Sequence, residues 1–169
     1  MQNLRLAPER AYRLPGHCPG VGHASWVLDR VGSTLTALQA LPPHSVRGLV
    51  GTGPVLVHGD FGPQNMLFDV DAHAVTGILD WESAHVGARV EDLAWAEWIV
   101  RMHHVDAVGA VDVLLAAASV RSNWEERHAA MVRRCEGILD HCNSAGMQYA
   151  AVVWQDRLRC TRAWTDQNH

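Results

Sequence analysis

Three short apolar runs lie close together in the middle of the chain, at residues 55–57, 65–70 and 75–81. Each has the length of a strand, glycine and proline precede the first, and a turn-forming Asp-Ala-His-Ala sequence separates the last two. On either side of them, apolar residues recur every three or four positions, which is the period of an amphipathic helix. This pattern predicts an α+β chain that is mostly helical, with a short strand hairpin between the helices.

The predicted helices are marked by apolar spacing and by residues that favour helix ends. The first begins at Ser25 and stops at the proline pair 42–43, because proline cannot continue a helix. A later helix begins after Asn123, which forms a capping-box pattern with Glu126. Most of the seven tryptophans lie in helical segments, and we assign them to core packing. The apolar face of the first helix comprises Val27, Val31, Leu35, Leu38 and Leu41.

Length and composition limit the possible classes of protein. At 169 residues, with 48% hydrophobic and 19% charged residues, the chain matches one globular domain with a hydrophobic core. A net charge of −4 gives no reason to expect nucleic-acid binding. No apolar run has the roughly 20 residues that cross a membrane, and the first residues do not form a signal peptide. The four cysteines contain no Cys-x-x-Cys pair and are predicted to be reduced thiols in a cytoplasmic protein.

Polar residues stand at the ends of the predicted strands. His58, Gly59 and Asp60 follow the first strand, Asn65 begins the second and Asp80 ends the third. Carboxylates and amides at the ends of buried strands are costly unless they are paired, bind a metal or take part in chemistry. Because adjacent strands share an edge, Asn65 and Asp80 are expected to meet. The strand ends therefore predict a functional site.

Phosphoryl transfer to a hydroxyl is the chemistry that these residue types favour. Such a reaction needs a carboxylate to orient the hydroxyl and accept its proton, and oxygen ligands to hold Mg²⁺. Asp60, on a loop directly after a strand, suits the base, while Asn65 and Asp80 offer the metal ligands. His58 is expected to organise the loop through hydrogen bonds, and Glu82 to lie on the same side as Asp80. Taken singly, each residue could equally belong to a turn or to the surface.

The stretches VLVHGDFGPQNMLF, GILDWESAHVG and EDLAWAEW resemble the aminoglycoside phosphotransferase and choline kinase family, which has a protein-kinase-like fold. The resemblance implies that Asp60 is the catalytic base and that Asn65 and Asp80 bind magnesium. It also implies that His58 organises the loop and that Asp92 braces it. The phosphoryl donor would be ATP or GTP, and the acceptor a small molecule with a hydroxyl group. Ala88 stands where this family commonly has an aspartate.

The same resemblance raises the question of a missing lobe. Family members carry an N-terminal lobe of strands that holds the nucleotide, with a lysine on its phosphates. All 14 basic residues of this chain are arginine. We therefore expect residues 1–24 to be an irregular, linker-like segment, residues 25–169 to be the catalytic C-terminal lobe, and the nucleotide lobe to be absent. Turnover by the chain alone is predicted to be weak or absent, with a separate lobe or a second copy as a partner.

Other functions remain open at this stage. The lobe could be a free-standing, non-catalytic module that binds a small molecule or a partner through an exposed apolar patch. It could also be a metal-dependent hydrolase that uses His58, Asp60, Asp80 and His85. Acidic residues of the helices could attract a polycationic aminoglycoside, or they could be ordinary solvated helix faces. These acidic residues are Glu97, Glu125, Glu126, Glu136 and Asp140.

Overall fold

The computed structural model describes residues 21–43 and 46–166. In these stretches the chain is mostly helical with two pairs of short antiparallel strands, which confirms the predicted α+β class. Short 3-10 turns lie at Pro63–Asn65, Trp81–Ser83 and Val105–Ala110. The regular elements, in chain order, are α1 (Val21–Gln39), β1 (Val55–Val57), β2 (Met66–Asp69), β3 (Ala74–Ile78), β4 (His85–Gly87), α2 (Val90–His103), α3 (Val111–Ala117), α4 (Trp124–Ser144) and α5 (Gln148–Ala163).

The strands form two separate pairs. β2 and β3 make the predicted hairpin, with Met66 opposite Ile78 and a register shift between Leu67 and Phe68. β1 pairs with β4, with Leu56 opposite Val86. The sequence did not predict β4, because three residues are too few to show an alternating pattern. This second pair brings the chain that follows Asp80 back beside the loop that follows β1.

The first helix packs against α3 and the turn before it. Gly32 permits this close approach, because a Cβ there would lie 2.6 Å from the main-chain oxygen of Leu114. The predicted start at Ser25 is wrong, since α1 already begins at Val21. Leu41 is half exposed, because the helix ends at Gln39 before its apolar face would reach that residue. Residues 1–20 of the predicted linker segment lie outside the described residues.

Helix α2 lies between two hydrophobic cores, which explains why its residues 92–100 are all buried. Leu93, with Ala96 and Val100, faces the first core, which α1 and α3 complete. Trp95 and Trp98 face the second core, together with residues of α4 and α5. Their rings stack with centroids 4.3 Å apart, so the prediction that tryptophans pack in the core is confirmed for this pair. No helix in the described ranges is long and apolar enough to cross a membrane.

Of two predictions about charged residues in the helices, the structure confirms the capping box of α4 and contradicts the role of Glu97. The capping box of α4 is present: the Asn123 side chain accepts a hydrogen bond from the Glu126 main chain, and Glu126 bonds back to Asn123. Glu97, in contrast, is fully buried and forms ion pairs with Arg101 (2.8 Å) and Arg127 (2.7 Å). Its expected role in attracting a polycation is therefore wrong, because its charge is compensated inside the core.

Candidate active site

The loop between β1 and β2 carries Asp60, whose two carboxylate oxygens both accept hydrogen bonds. Oδ1 accepts from the indole Nε1 of Trp95 at 2.7 Å, and Oδ2 accepts from the amide Nδ2 of Asn65 at 2.8 Å. The same Nδ2 donates to the main-chain oxygen of Asp60, also at 2.8 Å. Asn65 thus closes the loop across five residues, and the Asp60 carboxylate is held from two sides.

His58 is fully buried behind this loop and connects it to the end of the hairpin. Its Nδ1 accepts a hydrogen bond from the Asp60 main-chain N–H at 3.2 Å, which places the ring proton of the neutral imidazole on Nε2. Nε2 then donates to the Leu79 main-chain oxygen at 2.8 Å. These contacts match the expectation that His58 organises the loop through hydrogen bonds. They also join the segments that carry Asp60 and Asp80.

Asp92 holds the backbone of the loop from the first turn of α2. Its Oδ2 accepts from the main-chain N–H of His58 at 2.7 Å, and its Oδ1 accepts from that of Gly59 at 2.9 Å. Burial raises the pKa of Asp92, while the two N–H donors act in the opposite direction. Gly59 has a φ of 84°, and a Cβ there would lie 2.4 Å from the Ser83 oxygen, so the tight turn requires glycine.

Asp80 lies two residues beyond the end of β3 and adopts a left-handed conformation, with φ 63° and ψ 62°. It was expected at the strand's last position, and the difference matters because this conformation is uncommon for residues other than glycine. A hydrogen bond of 2.8 Å from the Leu79 main-chain N–H to the Asn65 main-chain oxygen joins the two segments. The structure therefore brings Asn65 and Asp80 to the same end of the hairpin, as the sequence predicted.

A pocket of about 210 Å³ lies where these segments meet. Three carboxylates predicted from the sequence line it, those of Asp60, Asp80 and Glu82, and we call it the acidic pocket. Asn65 contacts the pocket's Asp60, whereas His58 and Asp92 lie buried behind the loop. The predicted site residues thus separate into a group that faces the pocket and a group that supports the loop.

Sequence reasoning missed part of the pocket wall, which Trp95, Arg134 and Trp154 contribute. Trp95 was assigned to the core, and its ring is indeed buried, but its N–H reaches Asp60. Its position three residues after Asp92, on the same face of a helix, was a signal that could have revealed this role. Arg134 and Trp154 come from α4 and α5 and carry no local signal, because only the packing of those helices brings them here.

The histidines of the hydrolase alternative are already engaged. Both ring nitrogens of His58 are hydrogen bonded to the main chain. His85 bonds to the Ser83 main-chain oxygen through Nδ1 and to Glu91 through Nε2, both at 2.9 Å. Within the described residues, no group of three or more His, Cys, Asp or Glu side chains could hold a metal ion. The four residues proposed for a hydrolase therefore do not form a metal centre there.

The ion pair of His85 also affects its titration. Burial on its own lowers the pKa of His85, but the hydrogen bonds to Ser83 and Glu91, with the charge of Glu91, outweigh it. The result is a pKa raised above the ordinary value of 6.5. Both partners of the His85 ring are hydrogen-bond acceptors, so these contacts favour the protonated ring, in which both nitrogens donate.

Comparison with protein families assigns the chain to one of them. A model of the phosphotransferase enzyme family matches residues 22–130, more than half of the chain. The chain belongs to this family. The resemblance found in the sequence motifs is therefore confirmed, and the matched residues include every predicted site residue.

One curated relative and the solved structures add context. The chain is 30% identical over 102 residues to a protein of Arabidopsis thaliana described as "Probable acyl-CoA dehydrogenase IBR3". The match covers 59% of this chain and only 11% of the relative. The chain thus corresponds to about a tenth of that longer protein. No solved structure matches the chain significantly.

Proposed function

We propose that this phosphotransferase transfers the γ-phosphoryl group of a nucleoside triphosphate to a hydroxyl group of a small molecule, with Mg²⁺ as the metal. The observation that carries the proposal is the meeting of Asp60 and Asp80 at one pocket, with Asn65 bonded directly to Asp60. A base and two oxygen ligands within one small volume are the protein groups that this reaction needs.

Asp60 is the proposed base. As the substrate's hydroxyl oxygen bonds to the γ-phosphorus and the nucleoside diphosphate leaves, the hydroxyl proton passes to the Asp60 carboxylate. Hydrogen bonds from Trp95 and Asn65 hold that carboxylate in place before the substrate arrives. A base fixed in this way loses little conformational entropy on reaching the reactive geometry.

The residues present fit a magnesium ion. Asn65 directs its amide nitrogen to Asp60, which leaves the amide oxygen as the atom able to bind a cation. The Asp80 carboxylate is exposed and makes no hydrogen bond or ion pair to the described part of the chain. Mg²⁺ is commonly held by one or two protein oxygens together with the phosphate oxygens of the substrate. When bound, the metal would neutralise charge on the phosphates, and Glu82 is placed to contact it or the acceptor.

We further propose that the chain acts as the C-terminal lobe of a protein-kinase-like fold and that another lobe, separate or from a second copy, covers the nucleotide. The hairpin and the turn after it expose Leu67, Leu79 and Trp81, which lie next to the Asp80 segment. Exposed apolar residues that lie together favour contact with a partner. The same observation also supports the alternative of a non-catalytic binding lobe, so the two must be separated by experiment.

Calorimetric titration of the purified chain with ATP, with and without Mg²⁺, tests the proposal. We expect saturable binding that requires Mg²⁺ and that is lost in Asp80→Ala. Asp71→Ala, an exposed aspartate on the turn of the same hairpin, is the matched control and should bind like the wild type. If Asp80→Ala binds Mg²⁺–ATP as well as the wild type does, the metal assignment is wrong. If the folded wild-type chain binds none, the chain alone does not hold the nucleotide and the non-catalytic lobe is favoured.

A further inference from the structure

A second pocket, of about 290 Å³, lies behind the catalytic loop between the start of α2 and the middle of α4. It touches the loop at Gly59 and shares Trp95 and Arg134 with the acidic pocket, so one wall separates the two. We call it the arginine pocket, after Arg133 and Arg134, which line it side by side. Any group bound in it lies next to the hydrogen bond that joins Trp95 to Asp60.

The carboxylates of the arginine pocket are already satisfied. Both oxygens of Asp92 accept main-chain hydrogen bonds from the catalytic loop. Glu91 accepts from the Ala88 main-chain N–H at 2.6 Å through Oε1 and bonds to His85 through Oε2. Neither acid is directed at an arginine. The carboxylates of Glu91 and Asp92 are therefore bonded to groups other than the two arginines.

The two arginines, in contrast, have unused donors. Neither Arg133 nor Arg134 forms an ion pair or a hydrogen bond with any residue of the described ranges. The Arg134 Nε is buried with no acceptor, and its guanidinium lies over the Trp95 ring at 5.6 Å from the centroid. A buried guanidinium donor without an acceptor costs free energy that a bound anion would recover. Five of the other described arginines are paired with carboxylates, as Arg127 is with Glu97.

We infer that the arginine pocket binds an oxyanion, a carboxylate or phosphate group carried by the hydroxyl substrate, through Arg133 and Arg134. Guanidinium groups suit such anions because their planar donors match two oxygens at once. Arg134 also lines the acidic pocket, so an acceptor whose acid group meets its guanidinium has its hydroxyl group on the side of Asp60. This inference rests on the proposed function, and it specifies the acceptor as a hydroxy compound with an acidic group.

Inorganic phosphate, titrated into the chain in the presence of a metal chelator, tests the inference without any turnover. The readout is the Nε–H signals of arginine side chains in nitrogen-15 NMR spectra, with the Arg134 signal assigned by its loss in Arg134→Gln. We expect saturable binding that shifts the Arg134 signal and that weakens about tenfold or more in Arg134→Gln and in Arg133→Gln. Arg159→Gln, which removes an exposed arginine paired with Asp156 on α5, is the control and should not change it.

The chelator distinguishes the two possible sources of an oxyanion, the acid group of the acceptor and the phosphates of the donor. Phosphate binding that needs Mg²⁺ and is lost in Asp80→Ala but kept in Arg134→Gln would locate the anion at the metal and overturn the inference. No saturable binding, or equal binding by the wild type and Arg134→Gln, would overturn it as well.

Failure of the inference and failure of the proposed function give different results. If phosphate binding depends on the arginines while Mg²⁺–ATP does not bind, the anion site stands and the phosphotransfer proposal fails. If Mg²⁺–ATP binds through Asp80 but phosphate binding is unchanged in the arginine variants, the phosphotransfer proposal stands and the acidic acceptor is ruled out.

Discussion

The indole Nε1 of Trp95 donates a hydrogen bond of 2.7 Å to Oδ1 of Asp60, and this bond links the core to the candidate active site. The Trp95 ring is stacked on Trp98 in the second hydrophobic core, so its position is set by packing rather than by solvent. The donor is therefore rigid. Its partner is the carboxylate that we propose as the catalytic base, which makes Trp95 a positioning residue for that base.

The Trp95–Asp60 bond predicts a specific NMR result. Removing the acceptor in Asp60→Ala should move one indole N–H signal upfield, because an N–H bonded to a carboxylate resonates further downfield than one without that acceptor. The same signal should be missing from the spectrum of Trp95→Phe, which assigns it. If all the indole signals of Asp60→Ala keep their wild-type positions, the hydrogen bond does not exist in solution. Under turnover, Trp95→Phe should lower kcat by about ten- to a hundredfold, since a hydrogen bond to a charged group contributes about 1.5–3 kcal/mol.

Replacing Asp92 by asparagine should loosen the catalytic loop. The asparagine oxygen can accept one of the N–H groups of His58 and Gly59, while its NH₂ group faces the other donor without an acceptor. We expect the free energy of unfolding to fall by about 2 kcal/mol, the cost of one unsatisfied buried donor. Hydrogen exchange at the His58 or Gly59 amide should also become faster. The control is Asp140→Asn, at an exposed position of α4, which should change neither quantity. Unaltered exchange at both amides in Asp92→Asn would contradict the bracing role.

The buried ion pairs of Glu97 predict a large loss of stability. Glu97→Gln leaves Arg127 and Arg101, both largely buried, without a charged partner, and breaking one side of such a pair costs about 3–5 kcal/mol. Glu136→Gln removes a glutamate whose pair with Arg162 is exposed, and it should cost less than about 0.5 kcal/mol. Urea unfolding of both variants measures the change in the free energy of unfolding relative to the wild type. If Glu97→Gln loses as little stability as Glu136→Gln does, the ion pairs of Glu97 are hydrated in solution.

His85 predicts how stability depends on pH. Its pKa is raised in the folded chain, so the folded state holds this proton more tightly than the unfolded state does. The stability that it contributes is fully present below the unfolded pKa of about 6.5 and is lost as the pH rises through the higher folded pKa. Urea unfolding between pH 6 and pH 9 should show a decline in the wild type that is smaller in His85→Gln. Identical declines in both proteins would assign the effect to another group.

The loop between β1 and β2 could be predicted because its signals are local. His58, Asp60 and Asn65 lie within eight residues. The strand pattern on either side places them between the end of one strand and the start of the next. The capping box of α4 is local in the same way, since it joins Asn123 and Glu126 within one helical turn. Residues at such short separations meet through the geometry of one turn or one hairpin, whatever the rest of the chain does.

Other features could not be predicted because they depend on distant parts of the chain. The pairing of β4 with β1 joins segments about 30 residues apart, and the sequence His-Val-Gly has no strand pattern of its own. The residues around Glu97 in the sequence are typical of a surface glutamate, but in the structure Glu97 pairs with Arg127 of another helix. Asp80 adopts the left-handed conformation, which aspartate enters more readily than most residues other than glycine but still too rarely to be predicted.

The sequence by itself determined the α+β class, most of the helices and the hairpin, and it supplied the residues that we propose as base and metal ligands. Periodicity and short motifs carry that information because secondary structure and turns depend on neighbouring residues. Only the tertiary structure decided which tryptophan reaches Asp60, where the buried charges of α2 find partners, and that Arg134 lies between two pockets. Those relationships depend on how α4 and α5 pack against α2, and side-chain packing between distant helices leaves no local pattern in a single sequence.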